Sequence, residues 1–456
     1  MRLRNALLLT MAAALAAGAQ TPRRAPQWPA PDARFHADIL LIVAHPDDES
    51  EITGYLARAI FDEHKRVAVA YGTWGNSGGN LVGSEQAASL AAVREIEARR
   101  AWASWGVLDV WSLGGYDTPT QNVLNSLETW HHGSALEKAV GLIRLTRPAV
   151  VMTWLPDNVA GENHGDHQAA AVIATEAFNM AGDPTAFPEQ VATPRNRLSY
   201  ANLTEGLRPW QAKKLYYFTD AFFNGFLDGK GPQYAVTDVS PAKHEPYYRL
   251  EAEEEAFHAT QQGNGDVAER ALRSGDFHAF KAPVKLLLAR SLVAAPATAD
   301  VFAGIGTAPA AYQAPPGYAA ARDPTRDEAI QLGGQWHFYH QLWAAEGLSV
   351  MRDLIAPQWD TGGGQRLEVP LRLQNRGDQP EEITIASHLP AGWQELNRAE
   401  VYPVQAHGFY EVEMELRAPE PANGGWERLS WTASAGGNEL GQAALRVYVT
   451  GAHAAP

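Results

Sequence analysis

The sequence predicts an α/β N-terminal domain, with a Rossmann-like, mostly parallel sheet and helices on both faces, followed by a C-terminal all-β sandwich. Three observations carry this. Unbroken apolar runs such as Ile39-Leu40-Leu41-Ile42-Val43 and Val150-Val151-Met152-Thr153-Trp154 suit strands buried on both faces, and a helical pattern follows each of them. Strand and helix patterns alternate as far as about residue 300, which implies parallel strands joined by crossover helices. Near Leu348 the period changes to short alternating segments separated by Gly and Pro, the pattern of a sandwich.

Met1 to Ala19 carries Arg2 and Arg4, an apolar run from Ala6 to Ala17, and the small residues Ala17-Gly18-Ala19, which is the pattern of a cleavable signal peptide. The run is too short for a stable membrane span. The expectation is an exported chain, periplasmic or extracellular, with residues 20–35 as a proline-rich linker. The 456 residues include no cysteine, so there is no disulfide framework, and any metal is held by nitrogen and oxygen. A formal charge of −15 argues against nucleic acid or an anionic membrane surface as partner.

The first strand, Ile39–Val43, leads into Ala44-His45-Pro46-Asp47-Asp48-Glu49 and a helical stretch from Glu49 to Glu63. An imidazole beside three carboxylates is costly unless a cation sits among them, and a helix N-cap would account for only one of the carboxylates. A second strand, Arg66 to Tyr71, runs into the glycine-rich segment Gly72 to Asn80, where Trp74 offers a flat face on which a sugar could stack. Ser84 to Trp105 reads as a long helix carrying Arg94. The third strand, Val107 to Leu113, ends in Gly114-Gly115-Tyr116-Asp117; Asp117 is a candidate partner for a substrate hydroxyl, although such an Asp also caps its own turn. A helix from Ala135 to Leu145 leads to the strand at Val150, beyond which Asn163-His164-Gly165-Asp166-His167 precedes a helix from Gln168 to Phe178. Lys214 to Thr219 is a further strand, and an acidic helix from Pro246 to Gln262 contains His258-Ala259-Thr260-Gln261.

His-Pro-Asp-Asp-Glu at 45–49, paired with His-x-Asp-His at 164–167, resembles the motifs of the LmbE-like, or PIG-L, zinc N-deacetylases. The resemblance spans roughly residues 36 to 290, within a domain placed at 36–300. It implies one Zn2+ held by His45, Asp48 and His167, with Asp47 as general base. It implies further that His164, as an imidazolium, stabilises the oxyanion or protonates the leaving amine, with Asp166 orienting and charging it. Arg94 and Glu97 match the family's Arg-x-x-Glu and put Arg94 against the substrate, while His258 to Gln261 is similar to its His-x-Ser-Gln, with Thr in place of Ser. Glu162 stands where some members have tyrosine. The implied substrate is a small molecule or glycan bearing an N-acetylated amino sugar of the GlcNAc type. Two other readings stay open: a zinc amidase for another amide, such as a thiol conjugate, and an inactive carbohydrate-binding surface protein. Against the second stands the retention of Asp47, which mere binding would not need.

Residues 301–347 read as a connecting loop and a helix from Asp327 to Ala345, and residues 348–452 as the sandwich, separable near Leu348. Its strands are expected at Arg366–Leu373, Glu382–Ser387, Tyr410–Leu416, Arg428–Ala433 and Ala444–Val449. Leu389-Pro390-Ala391-Gly392-Trp393, after the turn at Asn375-Arg376-Gly377-Asp378, is similar to the NEW3-type sandwich appended to carbohydrate-active enzymes.

Overall fold

Residues 31–158, 164–192, 205–221, 223–314, 328–354, 356–397, 399–420 and 424–451 are described by a computed structural model. The expected signal peptide, most of the linker, Glu162, Asn163 and Asp327 lie outside these residues.

Strands β1 (Ile39–Val43), β2 (Val67–Tyr71), β3 (Val110–Ser112), β4 (Val150–Trp154) and β5 (Lys214–Phe218) form a parallel sheet in the order β3-β2-β1-β4-β5. Every residue of β1, β2, β4 and β5 is buried, which is why these strands read as unbroken runs. A small ladder of β6 (Gln233–Tyr234) and β7 (Val284–Lys285) precedes β8 (Leu287–Ser291), which pairs antiparallel with β5 and closes that edge. The crossovers are α1 (Thr53–Phe61), α2 (Ala87–Ser104), α3 (Val123–Thr129) with α4 (His132–Thr146), and α5 (Gly165–Met180) with the short α6 (Pro188–Val191). Helices α7 (Tyr247–Glu255) and α8 (Gly265–Ser274) follow. The helix expected from Glu49 instead begins with a 3-10 turn, Asp48–Glu51, because Asp47 has φ 97 and breaks the helical path. Among the described residues no helix is long and apolar enough to cross a membrane.

The sandwich starts earlier than expected, at β9 (Ile330–Leu332), which pairs antiparallel with Leu371–Leu373. The helix expected from Asp327 therefore begins only at α9 (Gly334–Ala345), after a turn in which Gly334 has φ 54 and a Cβ would meet Pro370 Cγ at 2.9 Å. After α10 (Met351–Leu354) come β10 (Gln358–Gly362), β11 (Arg366–Gln374), β12 (Glu381–His388), β13 (Gln394–Glu395), β14 (Tyr402–Val404), β15 (Phe409–Arg417), β16 (Gly425–Ala435) and β17 (Asn438–Thr450). They form sheets in the orders β10-β17-β16-β12-β14 and β13-β15-β11-β9, facing each other across Val369, Leu371, Met414, Trp431 and Val447.

Helix α9 serves both cores. Trp336 packs into the sandwich, while Tyr339, Leu342 and Trp343 pack into the α/β domain. The Tyr339 hydroxyl donates to Gln168 Oε1 at 2.7 Å, Trp343 Nε1 to the Pro156 carbonyl at 3.0 Å, and Asn158 Nδ2 to the Gln358 carbonyl at 2.9 Å. A cut near Leu348 would therefore pass through packing that both domains share. A chain ending at residue 347 would expose Ile330, Leu332 and Trp336, each at most 3% exposed here. Returning three such side chains to water costs about 5–8 kcal/mol. That is comparable with the roughly 5–15 kcal/mol that holds a domain folded. The expected result is an aggregating fragment, checked by soluble yield and thermal melting beside the full chain; a monomeric fragment of unchanged melting temperature would refute the shared core.

Candidate metal centre

Strands β1 and β4 are neighbours although β2 and β3 lie between them in sequence, so the strand order reverses where they meet. In open α/β sheets, ligands bind at the carboxyl ends of such a pair. His45, Asp47 and Asp48 follow β1, while His164 caps α5 after β4 and His167 lies in its first turn. All five line one cleft of about 660 Å³.

Asp48 Oδ1 lies 3.4 Å from His45 Nδ1 and 3.3 Å from His167 Nε2. An ion bound tetrahedrally at about 2.0–2.1 Å separates its donors by roughly 3.3–3.4 Å, so both spacings are those of a coordination edge. Only one oxygen of Asp48 is available for this. Its Oδ2 accepts from Ala44 N (2.7 Å), His45 N (3.0 Å) and Trp154 Nε1 (2.6 Å). Trp154 also stacks on His167, with ring centroids 4.1 Å apart and an interplanar angle of 5°. A carboxylate stands behind each imidazole: Asp117 Oδ1 is 3.1 Å and Asp166 Oδ2 3.4 Å from His45 Nε2, and Asp220 Oδ2 is 3.9 Å from His167 Nδ1. Such carboxylates orient the rings and raise their basicity.

Burial alone would raise the Asp48 carboxyl, but His167 and His45 hold it well below its ordinary value. Burial would likewise lower both imidazoles, yet Asp48 and the carboxylates behind them hold His45 well above, and His167 above, the ordinary range. Binding an ion there would displace any proton that the two imidazoles share with Asp48. The donor set, two imidazoles and one carboxylate without thiolate, fits zinc.

Asp47 stands beside this set. It occupies the N-cap position of its 3-10 turn, but its side chain caps nothing; Oδ2 accepts instead from Asn264 Nδ2 at 2.7 Å. Its carboxyl is pushed up to about 7, by loss of solvent first and by the charge of Asp48 second. A non-glycine residue at φ 97 costs roughly 1–3 kcal/mol. His164 differs from expectation. Burial, then the charges of His167 and His45, push its imidazole down to about 2, so it is neutral rather than an imidazolium. Its Nδ1 accepts from Asp166 N at 3.3 Å, which puts the ring proton on Nε2. Nor does the Asp166 carboxylate orient or charge His164. It takes Thr118 N (2.8 Å) and Thr118 Oγ1 (2.6 Å) and faces His45, because successive residues of a helical turn point in different directions.

The three residues expected to meet substrate sit differently. Arg94 lines the cleft, but its guanidinium donates to the carbonyls of Gly75 (2.7 Å) and Gly79 (2.8 Å), so it holds the glycine-rich loop in place. Glu97, its motif partner, accepts from Thr260 N (3.0 Å) and Thr260 Oγ1 (2.7 Å), tying the two motifs together. Asp117 lines the cleft but is bound to His45 and to Ser77 N (2.9 Å). Trp74 is not among the cleft residues: it packs on the core against Tyr71 (5.5 Å) and under Arg99 (5.6 Å). Sequence reasoning missed Trp154, Asp220 and Asn264. The first two were within reach, since each ends or follows a buried strand at its carboxyl end. Asp220→Asn is expected to weaken ion binding about 10–100-fold without unfolding the chain. Competition against a chromophoric chelator checks this, and an unchanged affinity would remove Asp220 from the centre.

The fold and these residues define an α/β domain with a candidate metal centre at its switch point. Residues 40–178 form a PIG-L (LmbE-like) domain, matching the family model described as GlcNAc-PI de-N-acetylase. Among similar proteins, a 1D-myo-inositol 2-acetamido-2-deoxy-alpha-D-glucopyranoside deacetylase of Thermobifida fusca is 28% identical over 193 residues, 39% of this chain and 60% of that protein. A deacetylase of the same name from Catenulispora acidiphila is 31% identical over 184 residues, 37% of this chain and 56% of that protein. The chain thus spans less than two thirds of the length of these relatives. Among solved structures, the N,N'-diacetylchitobiose deacetylase of Pyrococcus horikoshii is similar over 55% of this chain and 84% of that chain, with 18% identity and a TM-score of 0.39.

Proposed function

We propose that the chain is a metal-dependent N-deacetylase that hydrolyses the acetamide of an N-acetylated amino sugar, with zinc as its ion. The observation that carries this reading is a carboxylate outside the donor set, Asp47, held in the same cleft by Asn264 in a costly backbone conformation. A protein that only binds sugar gains nothing from it. The PIG-L domain and the names of the relatives support the reaction class. The cleft lining supports a hydroxyl-rich substrate, since it includes the polar Ser77, Thr118, Gln121, Gln262 and Asn264, and among the described residues Trp154 is its one aromatic residue besides histidine. Export, suggested by Arg2, Arg4 and the run Ala6 to Ala17, would place the enzyme among extracellular or periplasmic glycans.

When bound, the ion would polarise the amide carbonyl and lower the pKa of a water from 15.7 to about 7. Asp47 stands to accept that water's proton and to return it to the departing nitrogen. Nε2–H of the neutral His164 stands to donate to the developing oxyanion, and the Asp48 contacts to Trp154 and the backbone hold the donor set rigid. Acetate release from GlcNAc-containing oligosaccharides, measured beside acetylated peptides and thiol conjugates, tests the reading. Turnover confined to the latter two would overturn the sugar assignment and leave the amidohydrolase standing.

A further inference from the structure

Behind the first motif lies a second group of possible donors, wholly inside the protein. Glu49, Glu254 and His258 are each 0% exposed, and one ligand-type atom from each lies within 4.8 Å of the others. They come from three places: the 3-10 turn after β1, the last turn of α7, and the segment following α7. Glu49 is well supplied with donors. Its Oε1 accepts from the Tyr71 hydroxyl at 2.6 Å and its Oε2 from Asp47 N at 3.1 Å, while Trp102 Nε1 donates to the Tyr71 oxygen at 2.8 Å. Glu254 has no such support: among the described residues neither of its carboxylate oxygens has a hydrogen-bond partner. His258 Nε2 lies 3.2 Å from Glu49 Oε1 but off the line of a hydrogen bond.

A buried carboxyl without a partner costs about 1–3 kcal/mol when neutral and more when charged. Packing does not relieve it here. Burial pushes the Glu254 carboxyl up to about 8, and of the charges acting on it Glu49 and Asp47 are negative and only His258 is positive. Glu251 and Glu255 of α7 are buried nearby, so the carboxyl groups of Glu49, Glu251, Glu254 and Glu255 crowd around one imidazole. A single proton on His258 Nε2 cannot serve Glu49 and Glu254 together. A divalent ion can, and the 3.2 Å between His258 Nε2 and Glu49 Oε1 is again close to a coordination edge.

We infer that Glu49, Glu254 and His258 form a second site for a divalent transition-metal ion, structural in role and distinct from the cleft. One imidazole and two carboxylates suit zinc or manganese, and the enclosed position suits a resident ion rather than an exchanging one. Through Glu49, which holds Asp47 N, such an ion would also fix the backbone that presents Asp47.

The test is stoichiometry on the full chain, stripped of metal and reloaded with zinc or, separately, manganese, then desalted and read by elemental analysis. Two equivalents are expected for the parent, one for His167→Ala, one for Glu254→Gln, and none for the double variant. Glu254→Gln keeps the size of the side chain, and Glu254→Met serves as the second variant should the first fail to fold. A parent that binds one equivalent of either metal, or a Glu254 variant that binds as much as the parent, overturns the second site. A His167→Ala chain that keeps both equivalents speaks against the cleft site instead, so the two assignments fail separately.

Discussion

His167→Ala should empty the cleft centre and abolish turnover while leaving the fold in place. The side chain supplies one of three donors, and Asp48 Oδ1 lies between it and His45, so its removal leaves two donors along one edge. Loss of a supporting residue behind a ligand already costs 10–100-fold in affinity, and loss of a ligand costs more. With the ion gone, several kcal/mol of charge stabilisation go with it, on the order of a thousandfold or more in rate. The fold is expected to tolerate the change, because α5 is held by its buried apolar face and by the Gln168–Tyr339 bond. Elemental analysis, acetate release and thermal melting together check this. Parental metal content with parental activity would show that the ligand set is wrong.

The α/β core was legible because its central strands are buried on both faces, so their apolar runs could hardly belong to anything else. The sandwich was legible for the opposite reason. In β11 inward and outward residues alternate strictly at first, Leu367, Val369, Leu371 and Leu373 pointing in. Short or half-buried elements left weaker traces. Strand β9 is three residues long and adjoins an aromatic helix, so its residues were absorbed into the helical pattern, and the antiparallel direction of β8 has no local signal at all. At the site, the resemblance to the PIG-L motifs implied the set His45, Asp48 and His167 but not the directions of the side chains around them. Trp74 follows a buried strand much as Trp154 ends one, yet Trp74 packs on the core and Trp154 lines the cleft. Asp166 is two residues from His164 and nevertheless serves Thr118 and His45. These choices are made by partners distant in sequence, such as Ser77, Thr118 and Asn264.

Asp47→Asn is the sharpest separation of chemistry from binding. The substitution keeps shape and hydrogen-bonding reach and removes only the ability to take a proton. It also suits the backbone, since Asn tolerates the left-handed region better than most residues, and here φ is 97. Asp47 is outside the donor set, and among the described residues its side chain makes one hydrogen bond, from Asn264 Nδ2, which an amide oxygen could still accept. Metal content and melting temperature should therefore match the parent. The rate of acetate release should fall by about 10²–10⁴-fold, the scale on which removal of a positioned general base acts, with the loss in kcat rather than KM. The opposite pattern, an intact kcat with a raised KM, would make Asp47 a substrate-binding group. Activity within about tenfold of the parent would remove it from proton transfer altogether. The cost of its backbone conformation would then need another explanation, for which the bond from its amide to Glu49 is the first place to look.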